Sequence, residues 1–241
     1  MSETLLTLSG VHTNIGAYHI LHGVDLNVPR GQLTMLLGRN GAGKTTTLRT
    51  IMGLWRASAG KVVFAGHDIT ASSTPDIAAL EIAYVPETMG IFSDLTVKEN
   101  MLLAARSARH AGEMDDVRLK WIFSLFPAVE KFWSYPAGKL SGGQKQMLAV
   151  ARAIVEPRKL LIIDEPSKGL APAIINNMID AFAELKGSGV TILLVEQNIN
   201  FAKRLGDSVA IMDNGRIVHS GSMQALAEDQ KMQRDLLGLS L

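Results

Sequence analysis

The run Leu33-Thr34-Met35-Leu36-Leu37, followed at once by Gly38-Arg39-Asn40-Gly41-Ala42-Gly43-Lys44-Thr45, constrains this chain more than any other segment. The first five residues read as a buried strand, and Thr46, Thr47, Leu48, Arg49 and Ile51 continue as a helix. Between strand and helix, the glycines allow the backbone to wrap an anion. Successive N–H groups then point inward and the helix N-terminus adds partial positive charge. Lys44 reaches the β- and γ-phosphates of a nucleotide, and the Thr45 hydroxyl can ligate Mg²⁺. Residues Gly38 to Thr46 are therefore the expected nucleotide cradle, with Lys44 also assigned a catalytic part.

A second segment completes the chemistry. Leu160-Leu161-Ile162-Ile163 is an apolar strand that ends in Asp164 and Glu165, and ligands in open α/β sheets gather at such strand ends. Asp164 can hold Mg²⁺ through water, while Glu165 can polarise the water that attacks a γ-phosphate. Between the two segments, Leu140-Ser141-Gly142-Gly143-Gln144 precedes the helical run Met147 to Ala153. This is a second helix N-terminus able to face an anion. Read plainly, Ser141 is an N-cap and the glycines form a turn.

The rest of the chain fits a sheet covered on both sides. The first 35 residues alternate short apolar runs with turns, and Lys61 to Ala65 reads as a peripheral antiparallel strand. From about Pro86 to Pro157 strand signals nearly vanish, and Val117, Trp121, Ile122, Leu125 and Phe126 recur on one helical face. Strand and helix alternation then resumes: strand Lys159–Ile163, a helix from Pro172 to Gly187, strand Val190–Val195, helix Asn198–Leu205 and strand Ser208–Met212. The predicted class is α/β, with a mostly parallel core sheet, antiparallel N-terminal strands and an inserted α-helical subdomain. A single domain spans 1–241, with residues 1–85 and 157–241 as core and 86–156 as the helical insert.

Composition narrows the function classes. With 24 Lys plus Arg against 23 Asp plus Glu, the net charge of +1 leaves no electrostatic footprint for DNA or RNA. The absence of cysteine excludes disulfides, thiolate zinc sites and cysteine nucleophiles. No apolar run approaches the roughly 18 to 20 residues that span a bilayer, and Met1-Ser2-Glu3-Thr4 lacks the basic start of a secretion signal. The mean hydropathy of +0.16 fits a large core or a partner-covered surface.

A phosphate loop, then Leu-Ser-Gly-Gly-Gln, then an apolar strand ending Asp-Glu, in that order, resembles the ATP-binding-cassette ATPase family over essentially the whole chain. The resemblance implies a P-loop nucleoside-triphosphatase fold and Mg²⁺-dependent ATP hydrolysis. It also implies a head-to-tail pair of cassettes, in which Ser141 and Gly142, with Gly143 and Gln144 beside them, face the γ-phosphate held by the partner's own phosphate loop. The second cassette is either the same chain or a related one.

Three positions depart from the common family pattern. Ile15 stands where an adenine-stacking aromatic is usual, with Tyr18 three residues on as a possible replacement. Glu87 stands where most cassettes have Gln, and can approach Mg²⁺ beside Thr45 and Asp164. Gln197 falls at the switch histidine; it can hydrogen-bond the attacking water and the γ-phosphate but carries no charge near neutral pH. Glu87, Gly169-Leu170-Ala171-Pro172 and Val195-Glu196-Gln197-Asn198 together look like the second ATP-binding subunit of branched-chain amino-acid importers. Subunits of urea and short-chain amide importers look similar. That resemblance implies permease subunits, an extracytoplasmic solute-binding protein acting through them, and a peripheral place on the cytoplasmic face of the membrane. A cassette ATPase acting apart from transport is the reading from another class. The six histidines, at 12, 19, 22, 67, 110 and 219, read as ordinary surface or core residues.

Overall fold

The computed structural model describes residues 3–105 and 114–238. The chain opens with β1 (Thr4–Ile15), β2 (Tyr18–Pro29) and β3 (Leu33–Leu37), then α1 (Lys44–Ile51), β4 (Ala57–Phe64), β5 (His67–Asp68), α2 (Thr74–Ala79) and β6 (Ile82–Val85). Among the described residues there follow α3 (Val97–Ala104), α4 (Asp116–Leu125), α5 (Pro127–Lys131), a 3-10 turn at Ala137–Lys139 and α6 (Gly142–Ala153). The closing half runs β7 (Leu160–Asp164), α7 (Pro172–Gly187), β8 (Thr191–Glu196), α8 (Ile199–Leu205), β9 (Ser208–Asp213), β10 (Arg216–Ser222), α9 (Met223–Glu228) and α10 (Gln230–Leu237).

Two sheets result. The first is antiparallel in the order β2-β1-β4-β5, and the second has the order β10-β9-β3-β8-β7-β6 with only β10 antiparallel to its neighbour. Strands β3, β7 and β8 are buried along their whole length, as strands covered on both faces must be. Their period of two divides side chains between two cores. Leu36, Ile162 and Leu193 face α1 and the antiparallel sheet, whereas Met35, Ile163 and Leu194 face α6, α7 and α8. Each fully buried aliphatic side chain of this kind stabilises the fold by about 1.5–3 kcal/mol.

This register aligns the site. Leu37 pairs with Glu196 and Asp164 with Val195, so β3, β8 and β7 finish level and their following loops emerge at one edge. Among the described residues of the helical insert there is no strand, only an isolated bridge between Thr96 and Pro136. Thr96 and Glu99 form a capping box that starts α3.

Two expectations shift. Strand β4 begins at Ala57 rather than Lys61, because Thr13 and His12 on β1 extend its pairing to Ala57 and Ala59. The buried stripe of α4 is rotated: Ile122, Leu125 and the following Phe126 pack inward with Leu119 beside them, while Val117 is 79% exposed. Val117 lies in the first turn, and Arg118 next to it reaches back to the carbonyls of Ile154 and Glu156, turning position 117 outward.

Candidate nucleotide-hydrolysis site

The loop from Gly38 to Gly43 joins β3 to α1, and its glycines adopt backbone angles that L side chains rarely take. Gly38 shows why most directly: a Cβ there would lie 2.3 Å from the carbonyl oxygen of Met212 on β9. Lys44 opens α1 and is buried, and its ammonium donates to the carbonyls of Gly38 at 2.8 Å and Arg39 at 3.0 Å. The loop is thus closed around its own cation, with exposed Arg39, Asn40 and Gly41 at its rim. Ala42 is buried, its N–H donating to Arg39 and its carbonyl accepting from Gly215. Thr46 lies in the first turn of α1, where its carbonyl accepts from Thr50.

The carboxylates of β7 meet this loop. The Thr45 hydroxyl donates to Asp164 Oδ1 at 3.2 Å, and Lys44 Nζ lies 3.4 Å from Glu165 Oε1. Glu165 has φ 47, an uncommon value for a residue with a side chain. Gln197, just past β8, donates through Nε2 both to Glu165 Oε1 at 2.6 Å and to Asn40 Oδ1 at 2.8 Å. Lys44, Glu165 and Gln197 are therefore brought together as one constellation.

Burial dominates the electrostatics of this strand end. Burial, then the neighbouring charges of Glu165 and Glu87, push the Asp164 carboxyl up from its ordinary range, against the lowering effect of the Thr45 hydrogen bond. Tyr84, hydrogen-bonded to Asp164 Oδ2 at 3.5 Å, is pushed up to about 12 by burial and that carboxylate. Glu87 is exposed, and its Oε1 accepts from Lys168 Nζ at 2.5 Å.

Among the described residues, no cluster of three or more His, Cys, Asp or Glu could hold a metal ion. Thr45 and Asp164 nevertheless present two hard oxygen donors at hydrogen-bond distance from each other. Mg²⁺ is commonly held in this way, by one or two side chains together with substrate phosphates and water. The residues fit that ion, because Thr45 and Asp164 supply the hard oxygen donors it takes.

Comparison with known proteins decides the family. The family model described as ABC transporter matches residues 21–168. The high-affinity branched-chain amino acid transport ATP-binding protein BraG of Pseudomonas aeruginosa is 38% identical over 97% of this chain and 100% of its own. The chain belongs to the ABC transporter family. It is an ATPase subunit of that family, whose chemistry is ATP hydrolysis that powers transport. A probable branched-chain amino acid transport ATP-binding protein, LivF of Archaeoglobus fulgidus, is 35% identical over 92% of this chain and 93% of its own. Among solved structures, an ATP-binding subunit of an ABC transporter superposes with TM-score 0.80 at 31% identity, covering 98% of this chain and 95% of its own.

Against the ABC frame, the remaining expected residues divide. Ile15 and Tyr18 are direct cross-strand partners at the tip of the β1–β2 hairpin, and so share one face of it. Ile15 is half-buried, while Tyr18 is 77% exposed. Ser141 and Gln144 form a capping box at the start of α6, each side chain bonding the other's backbone N–H. Ser141 and Gly142 are exposed and Gly143 is buried. Among the described residues, the side chains of Ser141 and Gln144 bond each other's backbone rather than this chain's phosphate loop.

Sequence reasoning missed two residues. Glu196, at the end of β8, is 2% exposed and accepts backbone N–H groups from Ser167, Gln197 and Asn198. It ties the loop after β7 to the loop that carries Gln197, and its signal was a carboxylate ending an otherwise apolar run. Lys168 reaches both Glu87 and Glu165, the latter at 3.5 Å. Of the histidines, His12 and His19 hydrogen-bond at 3.0 Å and His22 packs beside His19, so three of them form one group. His67 is exposed, His219 half-buried, and His110 lies outside the described residues.

Proposed function

We propose that this ABC ATPase energises an importer of branched-chain or other hydrophobic amino acids, from the cytoplasmic face of the membrane, as one domain over 1–241. The observation that carries the hydrolytic part is the joint placement of Lys44, Glu165 and Gln197 beside the Thr45–Asp164 pair. The cargo class rests on relatives whose names specify branched-chain amino acid transport.

In the proposed reaction, the loop N–H groups and Lys44 hold the phosphate charge of ATP, and Glu165 polarises a water in line with the γ-phosphate. Gln197 fixes the rotamer of Glu165 and can donate to the γ-phosphate or that water. Thr45 and Asp164, with Glu87 near them, are the residues that would hold Mg²⁺, which when bound neutralises phosphate charge as a Lewis acid. Tyr18, sharing a face with Ile15, supplies the aromatic surface for the base. Ser141, Gly142, Gly143 and Gln144 serve the site of a second cassette in a head-to-tail pair, a role that the exposure of Ser141 and Gly142 supports.

Partner subunits have a candidate seat. A groove of about 690 Å³ is lined by Arg49, Leu54, Trp55, Tyr84, Met89 and Arg152, among others, between the sheet and the helical insert. Nε of Arg152 is buried there without a hydrogen-bond partner. An apolar and acidic segment of a permease suits that lining, and no helix among the described residues is itself long and apolar enough to cross a membrane.

Mild-detergent capture of the tagged chain from its native membranes tests this reading. Recovery with a multispanning permease and a second cassette is expected, and binding of leucine, isoleucine or valine by the cognate solute-binding protein would name the cargo. Recovery free of any membrane protein contradicts the transport role.

A further inference from the structure

We propose that Lys168 balances the charge of the ATP site: it is the counter-charge that admits a carboxylate at position 87 and joins that carboxylate to Glu165. The proposal rests on the ATPase reading above. Strands β6 and β7 are parallel neighbours, with Val85 level with Ile163, so the loops that follow them leave the sheet side by side. Glu87 stands on one loop and Lys168 on the other. Lys168 Nζ lies 2.5 Å from Glu87 Oε1 and 3.5 Å from Glu165 Oε2.

The two oxygens of Glu165 are thereby divided. Oε1 takes Gln197 and Lys44, while Oε2 faces Lys168. The Lys168 and Glu87 side chains are about half exposed, whereas that of Glu165 is 7% exposed. An exposed pair alone contributes little, but here one end is anchored on a buried carboxylate, where screening by water is weaker. Asp164 closes β7 with Glu165 next in the chain, and Glu87 follows the neighbouring β6, so three carboxylates already crowd the place that must receive a triphosphate. A neutral amide at 87 would need no compensation. A carboxylate adds one negative charge, and Lys168 returns one positive charge at contact distance. The same ammonium makes the loop that enters the helical insert and the loop that carries Glu165 move together.

A double-mutant cycle on the full chain tests this, using Lys168→Met, Glu87→Gln, the two combined, and Lys168→Arg. The first readout is the dissociation constant of a fluorescent ATP analogue in EDTA, where no metal masks the charge balance. The second is the division of the effect between KM and kcat with Mg²⁺. Lys168→Met is expected to weaken metal-free nucleotide binding about five-fold or more, and to raise KM more than it lowers kcat. Lys168→Arg is expected to stay within about two-fold of wild type, and Glu87→Gln to recover most of the loss in the Lys168→Met background. Additive effects, or an arginine variant as impaired as the methionine variant, would overturn the proposal. Failure of the wild-type chain to bind or hydrolyse ATP would instead overturn the functional reading beneath it. Thermal melting of each variant separates these effects from loss of fold, and the Glu87→Gln and Lys168→Arg arms remain informative if Lys168→Met is unstable.

Discussion

The side-chain amide of Gln197 donates to Glu165 at 2.6 Å and to Asn40 at 2.8 Å, so one neutral residue spans the carboxylate of β7 and the rim of the phosphate loop. An amide can aim Glu165 but cannot gain a proton near neutral pH. The kcat–pH profile is expected to lack a step near 6.5 arising from position 197, and Gln197→His is expected to introduce one, since about 6.5 is the ordinary histidine value. Gln197→Ala should lower kcat about ten-fold or more with a smaller effect on ATP affinity, the pattern of a lost orienting contact. Steady-state kinetics across pH 5.5–8.5, roughly the range over which a histidine titrates, check each point.

Gly38 has no room for a side chain, because a Cβ would stand 2.3 Å from the Met212 carbonyl. Gly38→Ala must displace the phosphate loop or β9, and a forced core shift of this kind costs about 1–3 kcal/mol. A lower melting temperature together with loss of ATP binding is expected. Calorimetric titration with ATP, paired with thermal melting, measures both.

Glu196 gives a pH signature in stability. Burial pushes its carboxyl above the ordinary value of 4.5, while hydrogen bonds from Ser167, Asn198 and Gln197 oppose the shift. A carboxyl raised on folding binds its proton more readily in the folded state. Its contribution is therefore fully present below 4.5 and is lost as pH rises through the raised folded value. Replacing it with glutamine removes that dependence. The melting temperature of wild type relative to Glu196→Gln is expected to rise as pH falls from neutral toward 4.5. A difference that stays constant or moves the other way would assign the carboxylate no such linkage.

Tyr18 shares a hairpin face with Ile15 and is 77% exposed, free to meet a flat ligand. Base stacking on an aromatic side chain is worth about 1–3 kcal/mol. Tyr18→Ala is expected to weaken ATP binding by about five-fold or more, with Tyr18→Phe close to wild type. Stacking reads no base edge, so ATP and GTP affinities are expected to differ by no more than about three-fold in the wild-type chain.

The phosphate loop, the Asp164-Glu165 strand end and most core strands were legible because each depends on residues close in sequence. Gly38 to Thr45 carries its own spacing, and the apolar run before Asp164 has its own period. What escaped depends on neighbours distant in sequence. Glu196 acquires its role only when Ser167 is folded against β8, and Lys168 only when Glu87 leaves the adjacent strand. The inward face of α4 was misplaced at Val117 because periodicity gives the spacing of a stripe, not where a helix first touches its core. The outcome at Tyr18 depended on hairpin register, since the turn at Gly16-Ala17 makes Ile15 and Tyr18 direct partners.

In the function proposed above, Glu165 is the residue that activates water for ATP hydrolysis. Phosphate release from saturating MgATP, measured side by side for the purified chain and its Glu165→Gln variant at high protein concentration, tests it most directly. The variant is expected still to bind ATP while its turnover falls by about a hundred-fold or more. A variant that binds ATP and hydrolyses it as fast as the wild type would leave Glu165 without that role.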